Sequence, residues 1–273
     1  VETDSDIWTV VCHGLEGSSQ APYMKGMAAA LNAEGWNVAL MNFRGCSGEH
    51  NRLLRAYHSG ETRDLAEILE WLVAQRKPRI VGLVGFSLGG NVVMKYAAER
   101  GVEVPGLIKA VAGISVPCDL PGCSRKMGGP SNRLYMKRFM NCLRQKVRYK
   151  QMRFPDAEGV DFERALKAVD FAGFDDSFTA PVHGFASAED YWERAACRPI
   201  AHQLSVPTLL LNAADDPFLT EASHLRDVAT DHPHLHVELT DHGGHVGFVR
   251  LGRSAGGYYQ EERVVRFFQG RGW

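Results

Sequence analysis

Short apolar runs alternate with helix-like stretches over residues 1–116, and this rhythm constrains the fold more than any other feature of the chain. Apolar runs cover residues 7–12, 37–43, 79–86 and 107–116, and helical patterns cover residues 21–34, 60–75 and 88–100. Such alternation is typical of a parallel sheet with helices on both faces. The sequence therefore predicts the α/β class with a mostly parallel sheet.

The rhythm stops over residues 117–198 and then resumes. This middle segment has helical, polar and glycine- or proline-rich stretches without a clear strand–helix–strand unit. Further strands are predicted over residues 207–213 and 235–239, and further helices over residues 221–230 and 261–269. We therefore predict one α/β core formed by residues 1–116 and 199–273, with an inserted cap over residues 117–198.

The composition argues against several classes of protein. The 45% apolar and 23% charged residues are typical of a globular protein, and a formal net charge of −1 gives no overall attraction to nucleic acid. The six cysteines are irregularly spaced, so we expect neither a zinc site nor a disulfide scaffold, and we expect a cytoplasmic location. No apolar stretch approaches about 18 residues, so no membrane span is predicted.

Residues 85–89 match the pattern G-x-S-x-G, with Ser87 at the centre. The pattern alone is weakly specific, but here it follows an apolar strand and precedes a helical stretch. In that context it predicts a nucleophile elbow, in which a strained turn lifts the serine oxygen clear of the backbone. The alternative is an ordinary glycine-rich turn between a strand and a helix.

A serine hydroxyl needs a base to act as a nucleophile, and in this arrangement an acid and then a histidine follow it along the chain. Two aspartates follow the strand predicted at 207–213. Their spacing from the small residue Ala213 favours Asp216 and leaves Asp215 as the second candidate. The alternative role for either aspartate is to cap the next helix.

Two histidines follow the strand predicted at 235–239. His245 comes after a pair of glycines, which let the loop turn back toward the serine, so we favour His245 over His242. Ligand type alone would also allow a metal site among these aspartates and histidines. The nucleophile elbow favours a triad instead, so no metal and no other cofactor is predicted.

Acyl transfer also needs N–H donors directed at the negative charge that develops on the carbonyl oxygen. The backbone N–H of Leu88 is one candidate because it directly follows the nucleophile. The second should come from the loop at residues 13–17, where we favour the N–H of Leu15 because Gly14 lets the backbone come close. The alternative is a loop that only joins a strand to a helix.

Six strings between residues 13 and 248 carry a family resemblance. They are HGLEGSS at 13–19, NFRGCSGE at 42–49, YHSGET at 57–62, GFSLGGN at 85–91, AADDPF at 213–218 and GGHVGF at 243–248. They resemble the YheT-like hydrolases, the bacterial relatives of the abhydrolase-domain proteins. This resemblance implies the α/β-hydrolase fold, serine esterase activity and a triad of Ser87, Asp216 and His245. It also implies antiparallel strands ahead of residue 7, which the sequence does not show.

These observations predict a serine hydrolase that cleaves short-chain or lipid acyl esters through an acyl-enzyme. A thioesterase, an amidase or an acyltransferase on the same triad is the first alternative, because the fold and the triad do not separate these reactions. A binding protein that keeps the fold without catalysis is the second. The expected partner is a small-molecule or lipid ester, and no nucleic acid is expected.

Arg44, Cys46, His58 and Glu61 lie within two of the six strings, and the sequence gives them no defined role. They follow the second predicted strand and precede the next helix, so we expect them at the same edge of the sheet as the elbow. A polar network that braces the site is favoured over direct participation in the chemistry.

The predicted cap is strongly basic in its first half. Between Asp119 and Asp156 there is no acidic residue, but there are ten basic ones: Arg125, Lys126, Arg133, Lys137, Arg138, Arg144, Lys146, Arg148, Lys150 and Arg153. Phe139, Leu143 and Val147 recur there at helical spacing. Two interpretations follow. Either this helix packs its apolar stripe on the core and its charges are solvated, or the cap makes weak contact with an anionic membrane surface.

Overall fold

The computed structural model describes residues 3–249 and 257–273, and its centre is a sheet of six strands. The strands are β1 Ile7–Cys12, β2 Asn37–Met41, β3 Ile80–Phe86, β4 Ile108–Ile114, β5 Thr208–Ala213 and β6 Leu235–Thr240. Their order is β2-β1-β3-β4-β5-β6, and every neighbouring pair is parallel. The predicted α/β class with a parallel sheet is therefore confirmed.

Helices cover both faces of this sheet, and others lie in the segment between β4 and β5. They are α1 Pro22–Ala33, α2 Thr62–Arg76, α3 Leu88–Arg100, α4 Leu120–Met127, α5 Arg133–Arg153, α6 Phe162–Lys167, α7 Phe171–Phe174, α8 Ala180–His183, α9 Ala188–Ala195, α10 Arg226–Ala229 and α11 Tyr259–Gln269. Buried residues of α1 and α11 form a core on one face, and those of α2 and α3 form a core on the other. Val10 and Val11, adjacent in β1, join opposite cores, which explains why the strands are continuous apolar runs.

Helices α4 to α9 lie between β4 and β5, and the structure assigns no strand to residues 115–207. These helices build apolar clusters of their own, one around Met140 and Phe174 and another around Trp192. Strands β4 and β5 nevertheless pair directly, with Val111 opposite Thr208. The sheet is therefore continuous across the segment in which the sequence predicts a cap. None of the helices in the described ranges combines the length and the apolarity needed to cross a bilayer.

The helix predicted over residues 221–230 is wrong in its extent. A 3₁₀ turn covers Glu221–His224, and α10 begins only at Arg226. Leu225 between them has a φ of 51°, and this left-handed conformation interrupts the run of helical hydrogen bonds. Its side chain is fully buried, so packing against the sheet core outweighs the local preference for a continuous helix.

Candidate active site

Ser87 lies in the turn between β3 and α3, at the carboxyl edge of the sheet. Its φ of 52° and ψ of −119° fall outside the regions that residues with a Cβ normally occupy. A Cβ added to Gly85 would lie 2.2 Å from the carbonyl oxygen of Gly89, so no side chain fits there. The strand, the strained turn and the helix that the G-x-S-x-G pattern predicts around Ser87 are all present.

Ser87, His245 and Asp216 form one chain of hydrogen bonds. Nε2 of His245 lies 2.9 Å from Oγ of Ser87, and Nδ1 of His245 lies 2.8 Å from Oδ2 of Asp216. Asp216 is buried, and its Oδ1 accepts a hydrogen bond from the Phe218 N–H at 2.9 Å. The Phe218 ring lies 4.4 Å from the His245 ring, centre to centre. The structure thus brings together the three side chains that the sequence favours.

Asp215 and His242 lie beside this chain of hydrogen bonds but outside it. Oδ1 of Asp215 accepts hydrogen bonds from the N–H groups of Gly244 at 2.7 Å and Gly243 at 2.9 Å. These bonds, led by that from Gly244, lower the pKa of Asp215. The His242 side chain is 92% exposed. Asp215 therefore stabilises the loop that carries His245 through these hydrogen bonds, and His242 lies at the surface.

The loop at residues 13–17 comes close to Ser87. A Cβ added to Gly14 would lie 3.2 Å from the Ser87 Cβ. Within residues 3–249 and 257–273, the N–H of Leu15 donates to no backbone or side-chain acceptor. The N–H of Leu88 begins α3 and therefore lacks an intrahelical acceptor. This geometry suits the predicted role of both groups as donors to a substrate oxygen, which stays a prediction.

A mostly apolar cavity of about 150 Å³ lies against Ser87 and His245. One part of its wall comes from the sheet edge, including Leu15, Tyr57, His58, Leu88 and Phe218. The other part comes from residues 117–198, including Met127, Phe139, Leu143, Lys146, Phe171, Phe174, Phe178 and Trp192. The segment in which the sequence predicts a cap therefore supplies much of the apolar wall.

Asp175 also lines the cavity, and no sequence pattern indicates it. Burial raises the pKa of Asp175 to about 7, although hydrogen bonds from the Thr179 hydroxyl at 2.6 Å and the Trp192 Nε1 at 2.8 Å oppose this change. The residue begins a π-helical turn, Asp175–Thr179, a distortion that is frequent at functional sites. The wall of the cavity thus includes a buried acid whose pKa is raised by its burial.

Residues of the strings at 42–49 and 57–62, between β2 and α2, form polar contacts that support the edge of the sheet. The Arg44 guanidinium donates two hydrogen bonds to Asp64, at 2.6 and 2.7 Å. The Cys46 thiol is buried and lies 3.0 Å from Nζ of Lys146 on α5. These contacts agree with the predicted polar network, and they join it to the segment between β4 and β5.

His58, Glu61 and His183 bring three potential metal-ligand atoms within 4.8 Å of one another. The Arg55 guanidinium already lies 2.6 Å from Oε2 of Glu61 and supplies a positive charge there. Nδ1 of His58 accepts a hydrogen bond from the Gly60 N–H at 3.1 Å. A metal-bound histidine instead donates a hydrogen from its second ring nitrogen. The donor set therefore does not suit a metal ion.

Comparisons with known proteins place the chain among hydrolases. Residues 9–250 match the family model described as the alpha/beta hydrolase fold. The chain is 37% identical over 240 residues to the presumptive esterase YheT of Escherichia coli (strain K12), covering 88% of this chain and 70% of that protein. It is 28% identical over 237 residues to the human phospholipase ABHD3, covering 86% of this chain and 57% of that protein. The chain therefore spans between 57% and 70% of the length of these two relatives.

Solved structures show the same fold at lower identity. The esterase PF2001 of Pyrococcus furiosus matches with a TM-score of 0.61 at 18% identity, over 98% of this chain and 83% of that one. Est1E of Butyrivibrio proteoclasticus with bound ferulic acid matches with a TM-score of 0.63 at 13% identity, over 98% of this chain and 91% of that one. Identities this low support the fold alone.

Proposed function

The chain belongs to the α/β-hydrolase family, and from this membership we propose that it is a carboxylic ester hydrolase with Ser87 as its nucleophile. The observation that carries the proposal is the chain of hydrogen bonds from Ser87 through His245 to Asp216, at 2.9 and 2.8 Å. The relatives named as an esterase and a phospholipase support the same class of reaction.

In the proposed mechanism, Oγ of Ser87 attacks the acyl carbonyl carbon while Nε2 of His245 takes its proton. The buried Asp216 carboxylate holds the His245 ring and stabilises its positive charge. The N–H groups of Leu15 and Leu88 stabilise the negative charge on the carbonyl oxygen. His245 then gives its proton to the leaving alcohol, and water hydrolyses the acyl-enzyme with His245 again acting as base.

The apolar wall of the cavity favours an apolar acyl group as the part of the substrate bound there. Phenylalanine side chains from residues 117–198 and the Phe218 ring face this space, whereas charged groups are few. Burial of each acyl methylene contributes about 0.8 kcal/mol. We therefore propose that residues 117–198 act as a cap that shapes an acyl pocket and excludes water from it.

A panel of p-nitrophenyl esters from acetyl to palmitoyl tests this function. We expect kcat/KM to rise up to about fourfold per added methylene, starting from acetyl, until the cavity is filled. Matched thioesters and anilides in the same assay separate an esterase from a thioesterase or an amidase. An added alcohol acceptor tests for acyl transfer, because new ester would then form at the expense of free acid.

Two results of the panel would contradict the proposal. A rate that falls with every methylene added to acetyl would exclude an apolar acyl pocket. Faster turnover of thioesters or anilides than of the matched esters would replace the esterase function with one of its alternatives. The Ser87→Ala variant supplies the background rate for each substrate.

The ten basic residues between Asp119 and Asp156 fall into two sets in the structure. Arg125, Lys126, Arg144, Lys146 and Lys150 all make hydrogen bonds or ion pairs within the protein. Arg133, Lys137, Arg138, Arg148 and Arg153 are exposed, and they have no such partner in the part of the chain that the structure describes. Only this second set is available to an external anion.

We propose that the exposed face of α5 contacts an anionic lipid surface. Leu134, Arg138, Arg148 and Met152 lie on one stripe of the helix that is exposed from end to end. Leu134 is 83% exposed and Met152 is 77% exposed, so apolar side chains stand among the charges. An apolar and basic helix face matches the chemistry of a lipid surface with acidic headgroups.

Reversal of three of these charges should abolish binding to acidic vesicles. Each lysine or arginine near an anionic bilayer contributes about 1 kcal/mol, so the Lys137→Glu/Arg138→Glu/Arg148→Glu variant should lose at least 100-fold in binding. Binding of the native chain should also weaken with salt, because the field is screened within about 8 Å at physiological ionic strength. Co-sedimentation with phosphatidylglycerol vesicles and with neutral phosphatidylcholine vesicles measures both effects.

The matched control reverses three exposed lysines outside α5, as Lys25→Glu/Lys77→Glu/Lys109→Glu. It changes the net charge by the same amount and should bind more tightly than the α5 variant by at least tenfold. Equal losses in the two variants would mean that net charge alone governs binding. Equal binding of the native chain to neutral and acidic vesicles would leave the exposed charges of α5 as a solvated surface.

A further inference from the structure

Lys146 joins the segment between β4 and β5 to the loop at residues 13–17. Its Nζ lies 2.7 Å from Oε1 of Glu16, although the two residues are 130 positions apart. The side chains are 21% and 8% exposed, so this ion pair is largely shielded from water. Shielded pairs are screened much less by salt than pairs on the surface.

Glu16 is held in an unfavourable backbone conformation by several contacts at once. Its φ is 55°, in the left-handed region that a residue with a Cβ seldom adopts. The Tyr57 hydroxyl donates to Oε1 of Glu16 at 2.6 Å, and it accepts from the Glu16 N–H at 2.9 Å. A conformation of this kind persists only where the surroundings hold it. Lys146 and Tyr57 are the side chains that do so.

The peptide group next to Glu16 carries the proposed oxyanion donor. The N–H of Leu15 belongs to the Gly14–Leu15 peptide, whose carbonyl oxygen accepts from the Gly17 N–H at 3.0 Å. Nδ1 of His13 lies 2.7 Å from the same oxygen. These contacts fix the plane of the Gly14–Leu15 peptide. The contacts of Glu16 fix the plane of the next peptide, Leu15–Glu16. The direction of the Leu15 N–H therefore depends on both.

We propose that Lys146 is a positioning residue that keeps the Leu15 N–H directed at the substrate oxygen, so that the cap and the oxyanion hole form one unit. This inference rests on the proposed esterase function. Burial would lower the pKa of Lys146, but the Glu16 carboxylate and the Cys46 thiol outweigh it and raise that pKa above its ordinary value. These contacts therefore favour the charged ammonium form of Lys146.

Direct binding of an anionic substrate is a weaker account of Lys146. Its charge is already balanced by the Glu16 carboxylate, and Nζ is also 3.0 Å from the Cys46 thiol. Its Nζ also lies 5.0 Å from the ring centre of Tyr57, the residue whose hydroxyl donates to Glu16. All of these contacts are with Glu16 in the loop at residues 13–17 or with Cys46 and Tyr57 beside it.

The test compares Lys146→Met, Glu16→Gln and the double variant by steady-state kinetics on one short-chain ester. Methionine matches the lysine side chain through Cε and keeps its apolar packing, but it lacks the charged Nζ. We expect each single variant to lose between about tenfold and a hundredfold in kcat, with KM changed less than about twofold, because a misplaced donor affects the transition state more than the ground state. The double variant should lose little more than the worse single variant, because both substitutions break the same contact.

A transition-state analogue separates positioning from a loss of packing. An alkyl boronic acid forms a tetrahedral adduct with the serine, so its Ki should rise in proportion to the loss in kcat/KM. Lys146→Arg should recover most of kcat, and the exposed Lys109→Met should match the native chain throughout. If Lys146→Met does not fold, Glu16→Gln and Lys146→Arg still test the contact.

The proposal for Lys146 is overturned if Lys146→Met changes KM and leaves kcat unchanged. It is also overturned if the fold-loss in kcat of the double variant equals the product of the losses in Lys146→Met and Glu16→Gln. A rise in boronic acid Ki that does not follow kcat/KM would also overturn it. In each of these cases the native chain still hydrolyses the ester and Ser87→Ala does not. Failure of the proposed function is distinguishable, because the native chain would then show no Ser87-dependent turnover at all.

Discussion

Replacement of Ser87 by alanine should reduce kcat for ester hydrolysis by a factor on the order of 10⁶ and leave the fold intact. In the proposed mechanism the Ser87 hydroxyl oxygen forms the acyl-enzyme, and it lies 2.9 Å from Nε2 of His245, the proposed base. Alanine also removes little packing, because the turn is set by the glycines around it. Activity, circular dichroism and thermal melting of the purified variant measure these two outcomes.

A fluorophosphonate probe adds an independent measurement on the native chain. It should label Ser87 alone, and the Ser87→Ala variant should not react, whereas the exposed Ser131→Ala should behave as the native chain does. More than about a tenth of native activity in Ser87→Ala would exclude this residue as the nucleophile, given the loss expected. A native chain that neither reacts with the probe nor turns over esters would instead be a binding protein with the fold of a hydrolase.

His245→Ala should lose nearly as much kcat as Ser87→Ala, because without the imidazole no base takes the serine proton. The matched variant is His242→Ala. The His242 side chain is 92% exposed and does not contact Ser87, so its loss should cost less than a factor of about three. Both substitutions remove an imidazole, at positions three residues apart. The ratio of their kcat values therefore tests directly whether His245 or His242 is the base.

The two aspartates form a second matched pair. Asp216→Asn should cost a factor on the order of 10⁴ in kcat, because an amide no longer holds His245 in the tautomer that accepts the serine proton. Asp215→Asn should cost far less, since Asp215 contacts the N–H groups of the loop and the exposed His242 side chain and has no contact with His245. A larger loss at Asp215 than at Asp216, or at His242 than at His245, would reverse the assignment.

The parts of the site that the sequence predicts well are those fixed by neighbours along the chain. The turn at Ser87 needs small residues at set positions on either side, so a short pattern between a strand and a helix is sufficient to indicate it. Asp216 and Asp215 are harder to separate, because both follow β5 and both are good turn residues. The two aspartates differ in their partners: Asp216 contacts His245, whereas Asp215 accepts from glycine N–H groups. These partners lie in a loop that starts after β6.

Contacts between distant segments could not be predicted. Nothing near Lys146 in the sequence distinguishes it from the exposed Arg148 two positions later, and only the fold directs one toward Glu16 and the other toward solvent. The ten basic residues between Asp119 and Asp156 therefore form a single group in the sequence and two groups in the structure. The left-handed conformation of Leu225 could not be predicted for the same reason, because it depends on burial of the side chain against the sheet.

The direct pairing of β4 with β5 has a consequence for recombination between relatives. Because the sheet closes without the intervening helices, a homologous segment could replace residues 117–198 without changing the register of any strand. The exchange would still have to keep the hydrogen bonds that cross the boundary, among them Lys146 to Glu16, Lys126 to the Asp216 carbonyl, and Asn91 to the carbonyl of Ala195. A functional chimaera is therefore expected only when the transplanted segment and its core partners come from the same parent.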